Sequence, residues 1–101
     1  MTPRESATET RLTRAVRRSG ALTLKLAPTT AGIPDRIVVW PNGVVDFVEV
    51  KAEDGRLSPI QRHRISDLRE NGANAFVVYG HDGVDDYVDA RLADLGLPLA
   101  R

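Results

Sequence analysis

The stretch GIPDRIVVWPNGVVDFVEVKAEDGRLSPIQ, residues 32–61, decides the fold. It holds two runs rich in β-branched residues, 35–40 and 44–51, with Trp40-Pro41-Asn42-Gly43 between them. Pro, Asn and Gly at such a break are turn residues, so the two runs are expected to fold back as a hairpin of strands. Their apolar density predicts a sheet covered on both faces. Downstream, residues 52–57 form a polar loop, and Ser58-Pro59-Ile60-Gln61 opens a helix with Ser at the N-cap, Pro at N1 and Gln at N3. Asn71 and Gly72 mark its end. Residues 75–79 are a further apolar strand, 80–83 a turn, and 84–95 a last helix with Val84, Val88, Leu92 and Leu95 inward.

Upstream, the periodicity predicts a helix over 5–19 that stops at Gly20, with residues 1–4 frayed. Leu12, Ala15 and Val16 form its apolar stripe; Arg11, Arg14, Arg17 and Arg18 point outward. Residues 21–26 alternate, with Leu22, Leu24 and Leu26 on one face and Thr23 and Lys25 on the other, as in a half-buried strand. The order is αβββαβα. A strand–helix–strand unit joins the third and fourth strands by a right-handed parallel crossover. The expected fold is therefore α/β, a mixed four-stranded sheet flanked by helices. One domain accounts for residues 1–101, with its core over about 5–90.

The chain has no cysteine, which excludes thiol catalysis, disulfides and cysteine-ligated zinc, and fits a cytosolic setting. No run approaches the roughly 18 apolar residues of a membrane span, and MTPRESATETR lacks the apolar core of a signal peptide. Net charge is zero but unevenly spread: residues 1–36 carry a balance of +4 and residues 73–101 one of −3. A basic N-terminal part allows a local anion-binding face, although a mixed solvated surface has the same composition.

Alternation places Val45, Phe47, Glu49 and Lys51 on one side of the third strand. A carboxylate ending an apolar row is costly unless it is paired or binds a cation. Alone, Glu49 and Lys51 read equally as a solvated pair at a strand end. Asp35, at the head of the preceding strand, changes the reading. Two acids and a lysine meeting beside a sheet supply hard oxygen ligands for Mg²⁺ or Mn²⁺ and a cation for developing charge, as metal-dependent phosphodiester cleavage requires.

The motif set Gly32-x-Pro34-Asp35, Glu49-Val50-Lys51 and Gly55-Arg56-Leu57-Ser58-Pro59-x-Gln61 resembles the VRR-NUC domain, a branch of the PD-(D/E)xK nuclease superfamily. The resemblance covers roughly residues 5–90 and implies the αβββαβ core already read from the pattern. It implies a metal held by Asp35, Glu49 and the Val50 carbonyl. Lys51 would position the attacking water or offset charge on the phosphate. It gives Glu9 a metal contact, direct or through water, against the plain reading of a helix-start acid facing solvent. Gln61 would sit beside the active site; Ser58-x-x-Gln61 is also a capping box. Lys25 would contact phosphate, or is an exposed strand lysine. Arg14 and Arg18 would grip the DNA backbone, or form a solvated helix face. Arg36 points away from Asp35 and is expected to pair structurally. His63 and His81 lack metal-ligand spacing, and Asp82, Asp85, Asp86 and Asp89 lack a calcium-loop pattern.

The function so implied is metal-dependent, structure-selective DNA endonuclease activity of the kind that resolves four-way (Holliday) junctions, in the cytoplasm of a bacterial or phage-infected cell. Two coordinated cuts call for a homodimer, whose apolar interface could include Trp40. The alternatives are a nicking or flap nuclease, and a catalytically silent DNA-binding accessory module.

Overall fold

The computed structural model describes residues 2–98. Residue 1 of the expected frayed end lies outside them. The elements run α1 (Pro3–Arg18), β1 (Leu22–Lys25), β2 (Arg36–Val39), β3 (Val45–Lys51), α2 (Pro59–Glu70), β4 (Asn74–Tyr79) and α3 (Gly80–Asp94). The αβββαβ order is as expected. The sheet order is β1-β2-β3-β4, with β1 and β3 antiparallel to β2 and β4 parallel to β3. No helix of the described residues is long and apolar enough to cross a membrane.

Both of the first two helices begin at a hydroxyl–proline pair. Thr2 caps α1 by accepting from the Glu5 N–H, as Ser58 caps α2 by accepting from the Gln61 N–H. The helix therefore starts at Pro3, not at residue 5. The turn expected over 80–83 is absent: β4 runs straight into α3 at Gly80, whose φ of +65° makes the bend.

Strand parity sorts the sheet into two faces. Val38, Trp40, Val48, Val50 and Val78 face α1 and α3, and close the core against Leu12, Val16, Val84, Val88 and Leu92. Within it lies a polar network. The fully buried Asp46 accepts from Trp40 Nε1 (2.9 Å), Tyr87 Oη (2.6 Å) and both Nε and Nη2 of Arg91. Burial and the hydrogen bond to Asp46 hold the Tyr87 hydroxyl well above its ordinary pKa. Trp40 is thus a core residue and is not available to an interface.

The opposite face is covered only in part. α2 packs over β4, where Ile65 and Ala75 are buried. It leaves the β1–β2 half bare. Leu22, Leu24 and Val45 are exposed, with Ile37, Val39 and Phe47 half-buried beside them. The expected burial of the β1 leucines is therefore reversed. The buried residue is Thr23, because α1 covers its side and its hydroxyl accepts from Arg36 Nε (3.0 Å).

Candidate active site

Asp35 stands one position before β2, and the register pairing Arg36 with Val48 continues to bring it opposite Glu49. The chain there is held at both sides. The Asp35 carbonyl accepts from the Leu26 N–H at 2.9 Å, and its Oδ2 accepts from the Val50 N–H at 2.9 Å. Parity puts Glu49 and Lys51 on the α2 face of β3. Both are buried, and Lys51 Nζ lies 3.8 Å from Glu49 Oε2.

Gln61 meets them from the first turn of α2. Its Oε1 accepts from the Ser58 N–H (2.9 Å), while its Nε2 donates to Glu49 Oε2 (3.3 Å). The capping box and the contact with the site are thus simultaneous. The cap fixes the amide orientation, so the NH₂ end must face the carboxylate. Gly32 brings the loop before Asp35 against this same turn. Its φ is +77°, and a Cβ there would lie 2.5 Å from the Ile60 carbonyl oxygen. Arg64 Nε donates to the Ala31 carbonyl (3.3 Å) and ties the loop to α2.

Glu49 carries the site's electrostatic tension. Its Oε1 is buried and has no hydrogen-bond donor. Burial, then the charge of the neighbouring Asp35 carboxylate, push its carboxyl up to about 8 against the lowering effect of Lys51. A second negative charge beside Asp35 is disfavoured unless a cation shares it, so near neutral pH Glu49 keeps its proton in the absence of an ion. A proton can serve the orphaned oxygen, and so can a divalent ion. Hard carboxylate oxygens fit Mg²⁺ or Mn²⁺. Among the described residues no third His, Cys, Asp or Glu completes a metal-sized cluster with them.

Glu9 is placed elsewhere. It reaches Arg36, which lies on the α1 face of the sheet, at 2.7 Å, and Lys25 Nζ lies 3.2 Å from both its oxygens. Burial raises the Glu9 pKa, but the two cationic donors outweigh it and hold the carboxyl below the usual range. The structure therefore brings together Asp35, Glu49, Lys51 and Gln61, with the Val50 backbone, and sets Glu9 in an ion-pair network with Lys25 and Arg36. The acid of α1 whose charge reaches Glu49 is Glu5, in the first turn of the helix. The α1 arginines diverge. Arg14 lines a cleft beside β1 with Lys25, whereas Arg18 lies toward Asp85, which pairs with Arg11.

Residues 3–82 match the model of the VRR-NUC domain, a span that includes every residue of this site. The chain belongs to the VRR-NUC family. A solved VRR-NUC domain structure superposes with a TM-score of 0.79 at 30% identity, covering 87% of this chain and 97% of that one. "Putative nuclease p44" of Acyrthosiphon pisum secondary endosymbiont phage 1 is 35% identical over 80 residues, which is 78% of this chain and 86% of the phage protein. The VRR-NUC assignment makes this a nuclease domain and accounts for the sheet order and helix placement described above.

Proposed function

We propose that this VRR-NUC domain is a metal-dependent DNA endonuclease that hydrolyses phosphodiesters at branched structures, four-way junctions foremost. The observation that carries the reading is the buried Glu49 Oε1 without a hydrogen-bond partner, on a carboxylate that feels the Asp35 charge and has Lys51 alongside. Asp35, Glu49 and the Val50 carbonyl would hold Mg²⁺ or Mn²⁺. When bound, the ion supplies a Lewis acid that polarises a phosphate oxygen and activates water. Glu49 gives up its proton to take that role, which ties activity to pH. Gln61 holds one Glu49 oxygen and leaves the other for the ion. Lys51, freed from sharing the carboxylate, is placed to offset charge that develops on the phosphate. Glu9 contributes by fixing Arg36 and Lys25 beside the strand that delivers Asp35.

The bare half of the sheet supports a homodimer. Leu22, Leu24 and Val45, with Ile37, Val39 and Phe47, make one apolar surface of the kind that marks an interaction site. A two-fold pair through this face would present two sites to a four-way junction. The cytoplasm of a bacterial or phage-infected cell supplies both the DNA and the divalent ion. Cleavage of a labelled four-way junction, a flap and a linear duplex, side by side, tests the substrate. Paired symmetric cuts in the junction support it; preferential flap cutting makes the protein a flap or nicking nuclease instead. Binding of all three without cutting in either ion would leave a silent DNA-binding module.

A further inference from the structure

A cleft of about 300 Å³ lies between α1 and the edge strand β1, on the sheet face away from Glu49. Thr10, Thr13, Arg14 and Arg17 fall at i, i+3, i+4 and i+7, so one stripe of α1 lines it with two hydroxyls and two guanidinium groups. Lys25 and Arg36 line the opposite wall. Glu9 is the one acid in the lining, and the buried Arg36 already pairs with it. Lys25 adds a surplus charge; its side chain is 60% exposed although its amine touches Glu9. Neither Arg14 nor Arg17 has an ion-pair partner among the described residues, whereas Arg11, on the side of α1 toward α3, is paired with Asp85. The hydroxyls are short and let a phosphate approach the helix, and no second carboxylate opposes it.

We infer that this cleft is a second anion site that takes phosphates of the DNA backbone flanking the cut, with Arg14, Arg17 and Lys25 as its donors. It rests on the nuclease reading for its ligand but not for its chemistry. Lys25 pairs with Arg36 across the strands, and the segment after Lys25 leads directly to Asp35, so the cleft and the catalytic carboxylates are set by the same two strands. The contact is to the sugar-phosphate chain, so it gives affinity and orientation without base preference. Arg17 replaces Arg18 in the set expected from sequence, because the helical stripe through Thr10 and Thr13 passes through Arg17, and Arg18 turns toward Asp85.

The test is fluorescence anisotropy of a labelled 20-base-pair duplex in EDTA, titrated with KCl. It compares wild type, Arg14→Gln, Arg17→Gln and their double with Arg11→Gln, which removes the same charge from the same helix outside the cleft. Each cleft substitution is expected to lower the salt slope by about 1 and weaken binding about tenfold at low salt, the double lowering the slope by about 2. Arg11→Gln should change it less. Equal effects of Arg11→Gln and the cleft variants, or an unchanged slope in the double, would overturn the cleft. Wild-type cutting in Mg²⁺ is scored in parallel. Cutting with an unaltered double-variant slope removes the cleft and leaves the nuclease; the expected slopes without cutting in either Mg²⁺ or Mn²⁺ do the reverse.

Discussion

Glu49→Gln should stabilise the metal-free protein, and do so only above mild acid. The buried carboxyl titrates near 8 in the folded chain against an ordinary 4.5. Below 4.5 both folded and unfolded states hold the proton, and the residue contributes no pH dependence. Between 4.5 and 8 the unfolded chain releases it while the folded chain keeps it, so folded wild type loses stability as pH rises. Above 8 both states are ionised and the penalty is constant. The shift is about 3.5 pH units, and at about 1.4 kcal/mol per unit the full penalty has a ceiling on the order of 5 kcal/mol. Gln has the shape of the protonated acid. Its oxygen can still accept from Gln61 Nε2, and its NH₂ can face Asp35, so it keeps the contacts without the charge. The assay is urea unfolding of both proteins in EDTA from pH 5 to 9. The difference should be about 1 kcal/mol or less at pH 5 and grow to several kcal/mol at pH 9, while nuclease activity is lost. A difference independent of pH, or a less stable variant at pH 9, would refute the reasoning.

Other consequences follow from the same contacts. In calorimetry, apparent Mg²⁺ or Mn²⁺ affinity should rise with pH up to about 8, because the ion and the Glu49 proton compete for one oxygen; proton release on binding should be seen in buffers of different ionisation enthalpy. Gly32→Ala should cost on the order of 3 kcal/mol in urea unfolding and lower kcat, since a left-handed alanine whose Cβ meets the Ile60 carbonyl must push α2 and Gln61 away from Glu49. Asp46→Ala should destabilise by about 3–5 kcal/mol, since it leaves the Arg91, Tyr87 and Trp40 donors buried without their acceptor. Wild type should run as a dimer by light scattering, and Leu22→Lys with Leu24→Lys as a monomer with its fold intact by circular dichroism; a monomeric wild type would overturn the dimer, and an unchanged dimer in the variant would place the interface elsewhere.

The hairpin, the crossover and the site triad were legible because each rests on local pattern. Proline and glycine mark the breaks, β-branched runs mark the strands, and period-two alternation alone puts Glu49 and Lys51 on one face. Gln61 could be read in either of its roles, and the fold satisfies both because an amide has two ends. What pattern could not supply was which face each helix covers. The alternation in β1 marks its leucines as the apolar face, but α2 stops at β4, and the lone Thr23 takes the buried side. The placement of Glu9 is hidden from the pattern for a related reason. Its position one turn into the helix carried no information on which side of the sheet it would reach, and Arg36 claims it on the α1 face. Trp40 carries a core signal of its own, because its N–H needs an acceptor and Asp46 sits on the same side of the hairpin, paired with Val38. The Thr2-Pro3 start of α1 carries the same hydroxyl–proline signature as Ser58-Pro59.

The most direct test of the catalytic centre is single-turnover cutting of a labelled four-way junction in Mg²⁺, Mn²⁺ and EDTA, with wild type beside Asp35→Asn, Glu49→Gln and Lys51→Ala. Cutting by wild type in either ion, abolished by EDTA and reduced at least a hundredfold in each variant while junction binding persists, is the expected result. Cutting that survives EDTA, or that survives loss of either acid, would contradict a metal site built on Asp35 and Glu49.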